Sequence, residues 1–282
     1  MKANIAHSDI LLIMVIYKEE ITSSSTFISL HQRFDLTINK FDLYIYDNSP
    51  ANFPQINISQ IKSPYNITYV RDVTNPGVSK GYNKGASHAT KLNKRYILLL
   101  DQDTKFPPNS LDLYLMNLNR YPNQQLFAPT LSSVLGVLSP GKSLLYRSSI
   151  LSKILNPGVN SLKKKSLLNS GLLINLNLFN LVKGYHEKIP LDFSDTYFIE
   201  KIKNVIKDFI LVELLCSHSL STENTKYSSV LLRFKYYCLG AKHYSKISNK
   251  FWVYFWCLTR CVKLTFKYQK LSFIEVYIKS LG

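Results

Sequence analysis

The sequence is short of acids, of clustered cysteines and of long apolar runs, and each shortage closes off a class of protein. Only 18 aspartates and glutamates stand against 35 lysines and arginines in 282 residues, a formal net charge of +17. That imbalance suits an anionic partner: a nucleotide, a nucleic acid or an anionic membrane surface. The four cysteines, Cys216, Cys238, Cys257 and Cys261, fall in the last third, with no CxxC pair and no Cys/His grid. A zinc site and a disulfide framework are therefore disfavoured, and a reduced cytosolic setting is expected. No run reaches the roughly 18 apolar residues that a membrane span needs. The apolar text near the start, Ile10 to Ile16, is only seven residues long and follows Asp9. It reads as a first core strand rather than a secretory signal. Asn57-Ile-Ser and Asn66-Ile-Thr match the glycosylation pattern, which has no consequence without secretion. Internal repeats and low-complexity linkers are also missing. The 46% hydrophobic content is enough for a real core and argues against disorder.

What is there alternates between strand-like and helix-like text. Ile10–Tyr17, "FDLYIYDNSP" (Phe41–Pro50), "NITYV" (Asn66–Val70) and "YILLL" (Tyr96–Leu100) read as strands, and Lys18 to about Phe34 has a mixed pattern open to a helix. Strands alternating with helices indicate βα units and a mostly parallel, Rossmann-like sheet flanked by helices, an α/β fold. Ligands of such sheets sit beyond the carboxyl ends of the strands. Asp47 and Asp101 both close strands, so they are expected to share one crevice. The stretch Leu126–Ser148 mixes apolar pieces with glycine and proline, and its elements cannot be ordered from sequence. Lys165–Glu187 reads as strand, cap, short helix and turn, with Asn177 as N-cap. Asp195 to about Lys207 is helical in pattern, and Phe209–Leu215 is again strand-like.

Three motifs carry chemistry. In "LDQDT", Asp101 and Asp103 follow a buried strand. Two carboxylates one residue apart at a strand end can hold Mg²⁺ or Mn²⁺ on phosphate oxygens; the bland alternative is a solvated turn. In "NPGVSKGYNKGASHA" (Asn75–Ala89), Gly77, Gly81 and Gly85 recur every four residues. This is neither GxGxxG nor a P-loop. Either the helix start at Val78–Ser79 offers backbone N–H groups to a phosphate or nucleoside, or the glycines pack a helix closely on the sheet. In "LDFSDTYF", Asp192 and Asp195 can share a helix face. One can cap the helix and the other can serve as a general base; two caps is the alternative. His218 in "CSHSLS" is a metal-ligand candidate, although a lone histidine is usually structural.

Taken in order, Tyr17 after the first strand, "YDNS", "NPGVSKGYNKG", "LLLDQDT", "NSGLLI" and "GYHEKIPLDFSDTYF" resemble the family 2 inverting glycosyltransferases of GT-A fold. The "LDQDT" form resembles the rhamnosyltransferase-like branch of bacterial O-antigen and capsule synthesis. The resemblance covers roughly residues 10–220. It implies that Tyr17 and Asp47 contact the base and ribose, and that Asn75, Gly77, Lys80 and Asn83 flank the nucleoside. Asp101 would lie near the ribose, and Asp103 and His218 near the metal and diphosphate. Asp195 would be the catalytic base and Asp192 its neighbouring acid. The implied donor is dTDP-rhamnose or a UDP-hexose, and the acceptor a lipid-linked saccharide. The sequence departs from the pattern at Lys18, at "DTYF" and at "KIP".

The composition shifts after Thr225, so a domain over 1–225 with a basic helical extension over 226–282 is expected. Residues 226–282 hold 11 lysines and arginines against one acid, Glu275, and both tryptophans. Arg260, Lys263, Lys267 and Lys270 form one helical stripe beside "FWVYFWCLT". It reads either as an interfacial helix on the cytoplasmic face of a membrane or as a solvated face. A nucleic-acid-binding protein is the alternative from another class, but no recognised RNA- or DNA-binding motif accompanies the charge. A nucleotidyltransferase lacks its glycine-rich, arginine-bearing loop here.

Overall fold

A computed structural model of the chain describes residues 4–30, 41–61, 63–145, 147–151, 154–218 and 226–281. The first half lays down strand β1 (Ile10–Ile16), helix α1 (Ser25–Leu30), β2 (Asp42–Asp47), β3 (Asn66–Arg71), α2 (Val78–Lys91), β4 (Tyr96–Asp101), β5 (Thr104–Lys105) and α3 (Ser110–Arg120). The helix expected from Lys18 to Phe34 is thus limited to the six residues of α1, and its last part lies outside the described residues. Strands β3, β2, β1 and β4 lie side by side and parallel. Their register sets Ile16 opposite Asp47, Asp47 opposite Arg71 and Val15 opposite Asp101, so four strand ends are level.

β1 is buried along its whole length, so its period-two alternation feeds two cores. Leu12, Met14 and Ile16 pack with Phe27 of α1 and Leu111, Tyr114 and Leu118 of α3. Leu11, Ile13 and Val15 pack under α2 with Tyr82, Ala86 and Ala89. The glycine stripe is resolved in favour of close packing. An added Cβ at Gly81 would meet Val15 and Tyr46, and one at Gly85 would meet Ile13.

The second half adds β6 (Leu126–Ser133), β7 (Gly136–Leu144), β8 (Arg147–Leu151), β9 (Gly158–Ser161), β10 (Lys165–Ser166), β11 (Leu172–Asn175), α4 (Leu176–Leu181), α5 (Ser194–Lys203) and β12 (Asp208–His218). The parallel arrangement stops at β4. β11 runs antiparallel to β4 and to β6, while β7 runs antiparallel to β6 and β10. β12 is parallel to β6 and antiparallel to β5 and β9. The sheet is therefore mixed, because hairpins rather than helical crossovers join the strands between 126 and 151. The cap of α4 is Asn175, whose side chain accepts from the backbone N–H groups of Asn177 and Leu178; the expected cap Asn177 lies inside the helix.

Helices α6 (Tyr227–Tyr244), α7 (Lys250–Tyr268) and α8 (Ser272–Leu281) follow. They share small cores of their own, one around Phe234, Cys238, Cys261 and Phe273. A second group, Ala241, Tyr244, Val253 and Cys257, packs against Phe193 and Tyr197 at the start of α5. The boundary expected after Thr225 adjoins residues 219–225, which lie outside the described residues. No helix among the described residues is long and apolar enough to cross a membrane.

Candidate active site

The level strand ends supply the floor of a crevice. Beyond β1, the backbone N–H of Tyr17 donates to Gln102 Oε1 at 2.6 Å, which ties the first strand end to the Asp101–Asp103 turn. The Tyr17 ring itself is 41% exposed. Asp47 is fully buried and accepts from the Ser49 N–H at 2.8 Å and the Tyr69 hydroxyl at 2.6 Å, with Arg71 Nε at 3.8 Å. Its carboxylate therefore organises the ends of β2 and β3 from beneath.

The turn after β4 is built by hydroxyls. Thr26 Oγ1 donates toward the carbonyls of Asp101 and Thr104 and accepts from the Thr104 N–H at 3.0 Å. Thr104 Oγ1 lies 2.7 Å from Ser170 Oγ and 2.8 Å from His218 Nδ1. Because His218 pairs with Thr104 in the β5–β12 ladder, the imidazole is delivered to within 3.5 Å of Asp103 Oδ1. That oxygen is buried and has no hydrogen-bond partner. Asp101 is held by the Tyr82 hydroxyl at 2.5 Å. Burial raises the Asp101 carboxyl above the usual range; Asp103 is raised by burial and then by Asp101. Glu19 is raised as well, by burial and by Asp103.

An unpartnered buried carboxylate oxygen beside an imidazole fits a divalent cation. His218 Nδ1 contacts Thr104 Oγ1 at 2.8 Å and stands 3.5 Å from Asp103 Oδ1, so the imidazole is oriented by the same turn that carries Asp103. No group of three or more His, Cys, Asp or Glu side chains among the described residues could hold a metal. Asp103 and His218 would therefore share the ion with ligand phosphate oxygens and water, the habit of Mg²⁺ and Mn²⁺.

The other wall is the start of α5. Asp195 is half-buried and its Oδ1 accepts from the Thr196 N–H at 2.7 Å. Burial, followed by the charges of Asp101 and Asp192, pushes its carboxyl up to about 6 against the pull of that N–H. The cap expected from one of the two acids is absent. Phe193 takes the N-cap position in a left-handed conformation, φ 72°, and no side chain caps the helix. For a bulky residue this is strain, of the kind that persists where the surroundings impose it. Here Tyr237 and Tyr244 of α6 pack on the Phe193 ring, with centroids 4.9 and 5.5 Å away. Asp192 faces Arg233 of α6 at 3.6 Å. Asp192 and Asp195 line one cavity of about 750 Å³ with Tyr237 of α6 and Trp256, Arg260 and Lys263 of α7.

The start of the glycine-rich stretch packs against the segment that leads to this wall. Gly77 has φ 89°, and a Cβ there would lie 2.2 Å from the Pro190 carbonyl oxygen. The Val78 N–H donates to that same carbonyl at 3.0 Å, and Ser79 Oγ donates to the Ile189 carbonyl. The helix start expected to bind an anion is thus taken by the segment leading to Asp192. Asn83 is committed too: its Oδ1 accepts from the Tyr185 N–H and its Nδ2 donates to the Tyr185 carbonyl and Glu187. Lys80 pairs with Asp72 at 3.0 Å, and Asn75 closes the preceding turn with φ 48°, its N–H donating to the Asp72 carbonyl. Sequence reasoning missed Thr26, Thr104, Ser170 and Glu19. Thr104 and Ser170 sit inside "LLLDQDT" and "NSGLLI", so a signal existed; Thr26 and Glu19 carry none. The contributions of α6 and α7 were likewise invisible.

Residues 12–158 match the family model described as Glycosyl transferase family 2. Asp192, Asp195 and His218 lie beyond that span. No curated protein sequence matches the chain. Among solved structures, S. aureus TarS 1-349 in complex with UDP-GlcNAc is similar at TM-score 0.60 and 14% identity, over 97% of this chain and 81% of that one. The longer S. aureus TarS chain gives 0.56 and 16% over 82% of this chain, which spans only 39% of it. GalNAc-T7 with UDP, GalNAc and Mn²⁺ gives 0.56 and 12%, over 84% and 47%. At these identities the likeness is one of fold, and it is the GT-A fold that the motifs imply.

The raised Asp195 carboxyl has a consequence for stability. A group whose folded pKa exceeds its unfolded value disfavours the fold once it ionises. Asp195→Asn should therefore melt above the wild type at pH 8, with the gain shrinking as pH falls from about 6 toward 4. Melting curves of both proteins across that range check it; a gain independent of pH would remove the assignment of a raised Asp195.

Proposed function

The chain belongs to glycosyl transferase family 2, and from that premise we propose that it transfers a sugar, with inversion, from a nucleotide-diphosphate sugar to a hydroxyl of a lipid-linked saccharide at the inner face of a membrane. One observation carries the reading: Asp195, raised to about 6, feels the charge of Asp101, and Asp101 in turn raises Asp103, whose buried oxygen stands unpartnered beside His218. Uridine donors have support from the similar folds crystallised with UDP and UDP-GlcNAc. dTDP-rhamnose rests on the "LDQDT" resemblance alone.

Each residue then has a task. The nucleoside lies over the level ends of β1 to β4, with the Tyr17 ring as its exposed wall and Asp101 facing the ribose. Asp103 and His218 would hold a Mg²⁺ or Mn²⁺ ion near the diphosphate. A cation there stabilises the charge that grows on the departing diphosphate oxygen. Asp195 takes the proton from the acceptor hydroxyl as that oxygen attacks the anomeric carbon from the face opposite the leaving group. A single displacement inverts the centre. A base near pKa 6 is ionised at neutral pH yet basic enough to accept a proton.

The expected membrane stripe changes meaning. Arg260 and Lys263 line the cavity. At about 100° per residue, the far side of α7 carries Phe251, Phe255, Leu258, Val262 and Phe266, exposed from 40% to 71%. Docking on an anionic inner leaflet runs through this apolar face.

Three measurements test the proposal. Asp195→Asn should lower turnover by roughly 10²–10⁴ with donor binding retained, and wild-type kcat/KM should fall as pH drops through about 6, where the base becomes protonated. Loss of donor binding in step with turnover would instead make Asp195 part of the nucleotide site. Asp103→Ala should abolish Mn²⁺-dependent binding of UDP in calorimetry, and full activity of the wild type in chelator would remove the metal role. Wild-type protein should sediment with anionic vesicles in low salt and Phe251→Ser/Phe266→Ser should not; equal behaviour would end the membrane reading.

A further inference from the structure

Most surface cations of this chain face solvent, where they need no explanation beyond solubility. Arg260 and Lys263 differ in place. They stand one turn apart on α7, on the side turned toward α5, and share the 750 Å³ cavity with Asp192 and Asp195. A cavity of that volume holds a ligand of saccharide size. Its walls are fixed. Trp256 donates its indole N–H to the Leu145 carbonyl at 3.0 Å, which ties α7 to the β7–β8 hairpin. On the α6 side, an added Cβ at Gly240 would lie 2.4 Å from the Asp192 carbonyl oxygen, so α6 seats directly on the acid-bearing segment.

Two carboxylates, Asp192 and Asp195, and two cations, Arg260 and Lys263, line the cavity, but the two cations are not paired with those acids. Asp192 has Arg233 opposite it. Among the described residues, neither Arg260 nor Lys263 has a carboxylate within ion-pair distance. Arg260 lies over the Tyr237 ring at 4.1 Å. The guanidinium also makes a side-chain hydrogen bond to the Tyr237 hydroxyl, and its remaining N–H groups can donate to phosphate oxygens. Lys263 is exposed at the mouth and adds a mobile point charge. A neutral saccharide could accept hydrogen bonds from both but would leave their charge uncompensated.

We infer that Arg260 and Lys263 form an anion subsite for a phosphoryl group carried by the acceptor, a diphosphate or phosphodiester next to the hydroxyl that faces Asp195. The assignment of this ligand as the acceptor rests on the reading of Asp195 as the base; the binding of phosphate does not. The subsite selects acceptors by charge and sets which end of the acceptor enters the cavity.

The test is binding of the full chain, followed by tryptophan fluorescence and calorimetry in chelator, so that metal-dependent capture of phosphate at Asp103 is silent. The probes are methyl glucoside, glucose 1-phosphate and decyl-diphosphate-linked glucose. Both phosphorylated probes should bind tighter than methyl glucoside by about tenfold or more, the worth of a charge-assisted hydrogen bond. Arg260→Gln should erase the preference and Lys263→Gln should reduce it and its salt dependence. Lys263, being exposed, gives a variant that melts with the wild type even if Arg260→Gln loosens Tyr237. Tighter binding of the decyl probe than of glucose 1-phosphate assigns the phosphoryl group to a lipid diphosphate; equal binding assigns it to a phosphorylated saccharide. Equal affinity for neutral and phosphorylated probes, or unchanged preference in both variants, overturns the subsite. No transfer is measured, so failure of the proposed sugar transfer leaves this result standing, and a working transferase without the preference loses the subsite alone.

Discussion

The antiparallel pairing of Thr104–Lys105 with Ser217–His218 is the contact on which the site depends. It closes the turn after β4 against the far end of β12 and sets one hydroxyl, Thr104 Oγ1, between Ser170 and His218. With Nδ1 held, the imidazole has one orientation, and Asp103 has a partner for a cation rather than a place in solvent. Without that ladder the two residues would belong to separate loops.

A second constraint is electrostatic. In a chain of net charge +17, five of the 18 acids stand at the candidate site: Asp101, Asp103 and Glu19 near the strand ends, and Asp192 and Asp195 around the start of α5. Desolvation raises Asp101, Asp103, Asp195 and Glu19, and repulsion from neighbouring carboxylates adds to it at Asp103, Asp195 and Glu19. Such a cluster opposes folding, and it is sustained by hydroxyls and N–H groups from Tyr82, Thr196 and Gln102. The arrangement is ready for a cation and a proton, which are what a diphosphate leaving group and an attacking hydroxyl bring.

The last three helices join the two halves of the problem. α6 imposes the left-handed turn at Phe193 and faces Asp192 with Arg233. α7 presents two surfaces: cations and Trp256 toward the cavity, and phenylalanines outward. An acceptor with an apolar tail and a charged head would meet the outward surface first and the cationic one at the mouth of the cavity.

Sequence by itself determined the parallel half of the sheet and the position of Asp47 and Asp101. An apolar run ending in an acid is a local pattern, and in a parallel sheet local ends become neighbours automatically. It also determined the ordered motifs that mark the family. Tertiary structure decided the rest. Gly77, Lys80 and Asn83 read as one nucleoside-flanking stretch in one dimension, and only the tertiary structure shows Pro190, Asp72 and Tyr185 against them. The strands between Leu126 and Leu151 carry glycine and proline within them, so their period is ambiguous until β12 and β11 supply edges for β6 to pair with. The basic stripe of α7 has one pattern whether it faces solvent, lipid or a cleft, because a helical period states that residues share a side and never what lies opposite. Only the packing of α6 and α7 against the Asp192–Asp195 segment placed Arg260 and Lys263 in one cavity with Asp195.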